Sequence, residues 1–311
     1  MKITLLLILI LISVFSILFG DGALLNPWHL NDIETMIVQS LRIPRILLSI
    51  LIGATLANIG WTFQILFRNS LATPYTLGVS SVAAVALALS ELLFELGYTT
   101  NRVLIFCLLL IPLFFVLLKI KKGNYRSQIL MFGVCIGIFS SSTIILIQSL
   151  LGNESVSKLI RWMMGSLNVV GMGDIYFLLP ILGLAFILMA LKRKQLTLLS
   201  IGDIFAHSRG VDTNFVFKYY ILICSIAVCT VVWICGPIGF VGLIIPHFTK
   251  RMFGADISKY QVHNILLGAI FLVGCDFLSR NLFGEIQLPI GAITATVGAP
   301  LLLYQVLKTK A

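Results

Sequence analysis

Charge is scarce in this chain. Only 11% of its 311 residues are Asp, Glu, Lys or Arg, against about 25% in an ordinary soluble domain. It lacks the polar surface to cover a water-soluble core, and with 59% hydrophobic residues and a mean hydropathy of +1.05 its solvent is a bilayer. Acidic residues are the scarcest, 12 against 22 basic ones, for a net charge of +10. A nucleic-acid partner is excluded because the basic residues sit in short runs between apolar segments and form no water-facing basic domain. No Walker-type Gly-Lys-Ser/Thr loop occurs, so ATP is not hydrolysed here by a P-loop. No nucleophile–base or metal constellation is visible either, which argues against an intramembrane enzyme. The six cysteines (Cys107, Cys135, Cys224, Cys229, Cys235 and Cys275) contain no CxxC pair, so neither a zinc site nor a disulfide framework is indicated. They are expected to pack between helices.

What the chain has is apolar runs. Ten are evident, at 3–20, 44–63, 77–95, 103–118, 128–150, 174–191, 216–235, 238–253, 264–280 and 289–307. They predict an all-α integral membrane protein with about ten transmembrane helices, forming one transmembrane domain over residues 1–311. The first run, "MKITLLLILILISVFSILFG", is long enough to span, and no small-x-small cleavage site follows it, so a retained helix is expected. Gly133 and Gly137 in "GVCIG" offer a GxxxG face for close helix packing.

Lys and Arg favour cytoplasmic loops. With the N-terminus inside, only Arg42, Arg45, Arg102, Lys158, Arg161 and Arg280 of the 22 basic residues fall outside. Cytoplasmic N- and C-termini are therefore expected, and the basic balance becomes the signature of an inner membrane face. This orientation puts the polar stretch "SIGDIFAHSRGVD" (200–212) in a cytoplasmic loop. Asp203 is a candidate helix N-cap, "IFAHSR" fits one to two turns, and Gly210 can end them. The segment is either a solvated loop or a place for a partner to push.

Four stretches carry a resemblance. "LRIPRILLSILIGATLANIGWTFQILFRNSLATPYTLGVSS" (41–81) has an Arg-x-Pro-Arg start and a Gln-x-x-x-Arg-Asn-x-Leu-Ala-x-Pro exit. "RWMMGSL" (161–167) lies in an outside loop, "GPIGFVGLIIPHFTKRMFGAD" (236–256) runs from a Gly-rich start into Pro-His, and "QLPIGAITATVGAPLLLYQVLK" (287–308) opens the last run. Together, over nearly the whole chain, they resemble the permease subunits of ABC importers for ferric siderophores, haem and cobalamin. The resemblance implies two permease subunits, identical or sister, around a central pathway in the bacterial inner membrane. It also implies cytoplasmic ATPase subunits that bind ATP and magnesium, an outer substrate-binding protein, and no cofactor in this chain. Inverted repeats are implied for spans two to five and seven to ten, with "LGVSS" (77–81) and "IGFVG" (238–242) as a faint trace.

By that resemblance, residues 202–211 are the surface that couples to the ATPase. Gly202 and Gly210 shape its turns, and Asp203, His207 and Arg209 face the partner. The family usually has a second acidic residue after the first and a Leu before the second Gly; here Ile204 and Arg209 stand there. Arg42, Arg45 and Arg280 are implied to receive carboxylates of the binding protein, a task suited to the planar guanidinium fork. Interfacial anchoring is the other reading of Arg42 and Arg45. Asp276, one turn before Arg280, is placed to hold it as an i, i+4 pair.

Ser127 and Gln128 are implied near a cytoplasmic gate and Trp162 at the outer mouth, where it and the neighbouring Met163 and Met164 are equally packing residues. Ser140, Ser141 and Ser142 either line the pathway or bond back to their own helix. His247 has no second ligand in register and is read as structural, and His29 and His263 as isolated loop residues. A ferric siderophore is the first choice of cargo, with haem or cobalamin as alternatives. An ion-coupled secondary transporter would need midplane ionisable residues, for which Asp276 is the one candidate. A membrane scaffold without transport is the remaining alternative.

Overall fold

Each of the ten apolar segments is occupied by one helix in a computed structural model, which describes residues 1–20, 23–24, 31–98, 101–119, 125–282 and 287–308. In chain order the helices are α1 (Lys2–Leu18), α2 (Asp32–Ile37), α3 (Ile43–Leu66), α4 (Val79–Glu95), α5 (Arg102–Lys119), α6 (Tyr125–Gln148) and α7 (Asn153–Met163). Then follow α8 (Gly173–Leu191), α9 (Arg193–Ile201), α10 (Asp203–Ser208), α11 (Thr213–Cys235), α12 (Val241–Phe253), α13 (Ile257–Asn281) and α14 (Ile290–Lys308). A π-helical stretch, Val38–Arg42, joins α2 to α3. Phe19–Gly20 and Ala23–Leu24 form a two-residue antiparallel pair. The stretch Asp32–Leu66, Arg126–Gln148 within α6, and α8, α11 and α13 are each long and apolar enough to cross a membrane.

The helix α3 is the axis of the fold. Twenty of its 24 residues are buried, and a helix apolar on all sides belongs at the centre rather than at a surface. Its hydroxyls turn inward on the backbone, Ser49 donating to the Arg45 carbonyl, Thr55 to Leu51 and Thr62 to Asn58. The amides pair across helices. Gln261 Nε2 donates to Asn58 Oδ1 at 2.9 Å, and Asn264 Nδ2 to the Ala57 carbonyl at 2.8 Å. Glycines set how closely the helices cross. A Cβ on Gly60 would lie 1.9 Å from the Gly242 carbonyl oxygen, and one on Gly53 2.4 Å from that of Gly268. These contacts draw α12 and α13 against α3.

Several helix starts differ from the sequence reading, and two of them have a local cause that bears on the fold. The eighth helix begins at Val241 rather than 238, because Gly236 and Phe240 both hold positive φ (+68° and +67°) and keep the preceding stretch extended. At 13 residues, α12 is about 20 Å long, short of a hydrocarbon core of about 30 Å. Conversely, α13 starts seven residues earlier than expected because the Asp256 carboxylate accepts the Ser258 N–H at 2.8 Å and caps it. That places His263 inside a helix, buried against Phe253 and Tyr260, and not in a loop. His29 lies outside the described residues.

Both α4 and α12 are entered through a residue of positive φ, Gly78 at +77° in the left-handed helical region and Phe240 at +67° outside it. Of the GxxxG pair on α6, Gly133 presses on the Thr76 carbonyl, 1.9 Å from where its Cβ would be, while Gly137 has room to spare. The tight partner is therefore the turn before α4 and not a facing helix. Four cysteines are buried and two, Cys107 and Cys135, are exposed; all are free thiols.

Candidate functional site

Two polar clusters sit at opposite ends of α3, about 34 Å apart for the 23 residues between Arg45 and Arg68 at 1.5 Å per residue.

At the first end, Arg45 Nε meets Asp276 Oδ1 at 2.6 Å and Arg280 Nε lies 3.2 Å from Asp276 Oδ2, so one carboxylate joins α3 to α13. The i, i+4 contact expected of Asp276 is present. Arg45 Nη1 also donates to Asn168 Oδ1 (2.5 Å) and Gln287 Oε1 (3.1 Å). Arg280 donates to the Ser16 hydroxyl and carbonyl, and Arg42 Nη1 to the Ile17 carbonyl at 2.8 Å. The three arginines thus gather at one end of the molecule but are only 5–8% exposed, and Asp276 is 0% exposed. Because Arg42 belongs to the π-helical turn, it reaches α1 while Arg45 reaches α13.

Asn168 is held by a loop stitched to three other elements. Ser166 N–H donates to the Cys235 carbonyl, Gly291 N–H to Met164 and Gly171 N–H to Ser40. A cavity of about 120 Å³ opens over Arg45, lined by Arg161, Ser166, Asn168, Gln287 and Pro289 among others.

At the second end, Asp203 Oδ1 is 2.6 Å from Arg126 Nη2 and 3.2 Å from Arg68 Nη2. Gly202, not Asp203, is the N-cap of α10; Asp203 occupies the first helical position and spends its carboxylate on its own chain. Gly210, at φ +77°, ends the helix as expected, donating to the His207 carbonyl while Val211 N–H reaches back to Ala206. His207 and Arg209 are exposed, the latter with its guanidinium 5.4 Å from the Phe205 ring centre. Two large apolar side chains stand out beside them, Ile204 (89% exposed) and Ile201.

Ser127 and Gln128 are exposed at the start of α6, at the same end as Asp203. Trp162 is elsewhere. It is half-buried at the end of α7, packs on two apolar clusters, and lines a separate cavity of about 230 Å³ with Arg102, Phe106 and Trp233. Met163 and Met164 are exposed beside it. Ser141 and Ser142 donate to the Gly137 and Ile138 carbonyls of their own helix, and Ser140 is buried. Among the described residues, no three His, Cys, Asp or Glu side chains stand close enough to hold a metal ion.

The sequence reading had missed Asn168, Gln287 and Ser16 at the first cluster and Arg126 and Arg68 at the second. The last two read from the sequence only as inner-face charges, although Arg126 directly precedes Ser127 and Gln128.

Comparison with known proteins identifies the family and the fold. Residues 3–308 match the FecCD transport family. The chain is 28% identical to the "Probable iron chelatin transport system permease protein" of Helicobacter pylori, covering 97% of this chain and 96% of that protein. It is 31% identical to the vitamin B12 import system permease protein BtuC of Vibrio cholerae, covering 96% and 90%. A solved structure described as "An inward-facing conformation of a putative metal-chelate type ABC transporter" superposes with a TM-score of 0.88 at 26% identity, over 99% of this chain and 98% of that one.

Proposed function

The chain belongs to the FecCD transport family, and from that premise we propose that it is the permease for a ferric siderophore. At the coarser level it is a multi-pass inner-membrane permease subunit of an ABC importer for an iron chelate, vitamin B12 or a similar cargo, with the ATPase on a separate chain. The observation that carries the finer reading is the near full-length match to an iron chelatin permease. A cobalamin cargo is the second reading, favoured by the full-length match to a vitamin B12 permease at similar identity.

In this reading the N- and C-termini are cytoplasmic, so the Arg45 cluster faces outward and the Asp203 cluster inward. The binding protein docks over Arg42, Arg45 and Arg280. Their burial favours a carboxylate that enters the cavity above Arg45 and displaces Asn168 or Gln287 as its partner, leaving Asp276 in place. The ATPase, carrying ATP and magnesium, docks on residues 202–210, a role supported by exposed Ile201, Ile204, His207 and Arg209. Ser127 and Gln128 serve the inner gate and Trp162 the wall of the outer mouth.

The experiment is uptake of iron-55 as ferric siderophore, beside labelled haem and labelled cobalamin, in cells with and without the gene. Loss of the siderophore signal alone is expected. Loss of cobalamin or haem uptake instead replaces the cargo and keeps the architecture.

A further inference from the structure

We propose that Asp203 is a positioning residue that ties the ATPase-facing helix α10 to the inner end of α6, so that movement of one is delivered to the other. The inference rests on the reading of residues 202–210 as the ATPase contact, and goes beyond it by naming how that contact reaches the pathway.

Three elements meet at this one carboxylate: the first turn of α10, the chain just past the end of α3, and the first turn of α6. Arg126 is the tighter partner, 2.6 Å away with a side chain 15% exposed, while Arg68 lies at 3.2 Å and is 46% exposed. Arg68 is brought there by a left-handed backbone, φ +48°, one of two positive-φ non-glycine residues in the described chain. That conformation is unfavourable for a side chain-bearing residue and marks a position fixed by its surroundings. Its guanidinium lies over Gly202, 3.8 Å from where a Cβ would stand.

Among the described residues the helix α6 packs mainly on α4 and on the turn before it, where Gly133 meets the Thr76 carbonyl, and 22% of its apolar window is buried. With 24 residues it is a rod of about 36 Å, so a shift at Arg126 turns the whole helix and carries Ser127 and Gln128 with it. A charge-assisted pair at 2.6 Å is short and directional enough to pull as well as push. Asp203 therefore faces inward on its own chain, leaving Ile204, His207 and Arg209 to meet the ATPase.

The test uses the complete complex with its ATPase in lipid nanodiscs and needs no cargo. A cysteine replaces Gln128 in a chain whose exposed Cys107 and Cys135 are changed to Ala, and its labelling rate by a water-soluble maleimide is read with and without ATP plus vanadate. In the parent the rate should change at least threefold. Arg126→Gln, outside the docking segment, should retain the ATPase and hydrolyse ATP within twofold of the parent yet lose the labelling response, and Asp203→Asn should lose the same response. Asp203→Glu should restore it, and Arg68→Gln should weaken it only in part. A full response in Asp203→Asn and Arg126→Gln overturns the proposal, as does loss of the ATPase from both complexes, which would make Asp203 a docking residue. The docking assignment is tested separately: if Ile201→Ser with Ile204→Ser leaves ATPase retention unchanged, that reading fails, whatever the Asp203 variants do.

Discussion

Asp276, fully buried between Arg45 and Arg280, is where one atom group decides the most. Replacing it by Ala leaves two buried guanidinium groups without their carboxylate, which is expected to destabilise the protein by about 3–5 kcal/mol. A fall in the apparent melting temperature of detergent-solubilised Asp276→Ala, larger than for Asp276→Asn, is the expected result; equal stability to the parent would deny the bridge its role. The same contact changes how docking should be tested. Reversing Arg45 to Glu sets two carboxylates face to face at the Asp276 site, so lost uptake would report misfolding as readily as lost docking. Arg161→Glu, on the exposed rim of the same cavity, tests it more cleanly and is expected to lower uptake at least fivefold while the protein accumulates normally. At this scale the Arg-x-Pro-Arg turn and the i, i+4 spacing of Asp276 and Arg280 were legible as two local patterns, while the gathering of the three arginines was implied by the family resemblance. It was silent about Asn168, Gln287 and Ser16, because their contacts span 123, 242 and 264 residues of chain and leave no local pattern.

At the scale of elements, α10 was legible from its punctuation. Gly202 and Gly210 bracket six helical residues, and the left-handed φ of Gly210 is a position where any Cβ is unfavourable by about 1–2 kcal/mol. The direction of Asp203 was not legible, since a carboxylate at a helix start serves equally as a cap, a partner contact or an ion pair until the facing element is known. The geometry also shows where a proline would do damage. Phe205 lies in the first turn, where an N–H is spare, whereas Ala206 N–H donates to the Gly202 carbonyl at 2.9 Å and its side chain is fully buried. Ala206→Pro, and not Phe205→Pro, is expected to abolish ATP-driven uptake; normal uptake in Ala206→Pro would contradict the coupling role of this helix. A comparable constraint fixes α3 against α12. With 1.9 Å between the Cβ position of Gly60 and the Gly242 oxygen, Gly60→Ala must force the two helices apart. Little or no folded protein in the membrane fraction is expected, and parental levels of Gly60→Ala would show that the crossing relaxes freely.

Across the whole molecule, each apolar run located by hydropathy holds one helix, because a bilayer demands apolar segments with every backbone group satisfied inside them. Hydropathy could not show which helix is central, since α3 and α6 read alike as apolar runs, yet one is buried on all sides and the other exposes Met131, Val134, Ile138, Phe139, Ile145 and Leu146. In the proposed reading, a second permease subunit would cover this face of α6.

The account turns on transport driven by a separate ATPase, and reconstitution measures it most directly. Purified permease, its ATPase and its binding protein in proteoliposomes, given iron-55 ferric siderophore on the binding-protein side and ATP on the other, should accumulate label only when all three proteins and ATP are present. Accumulation without ATP but with an ion gradient, or ATP hydrolysis by the permease chain alone, would contradict it.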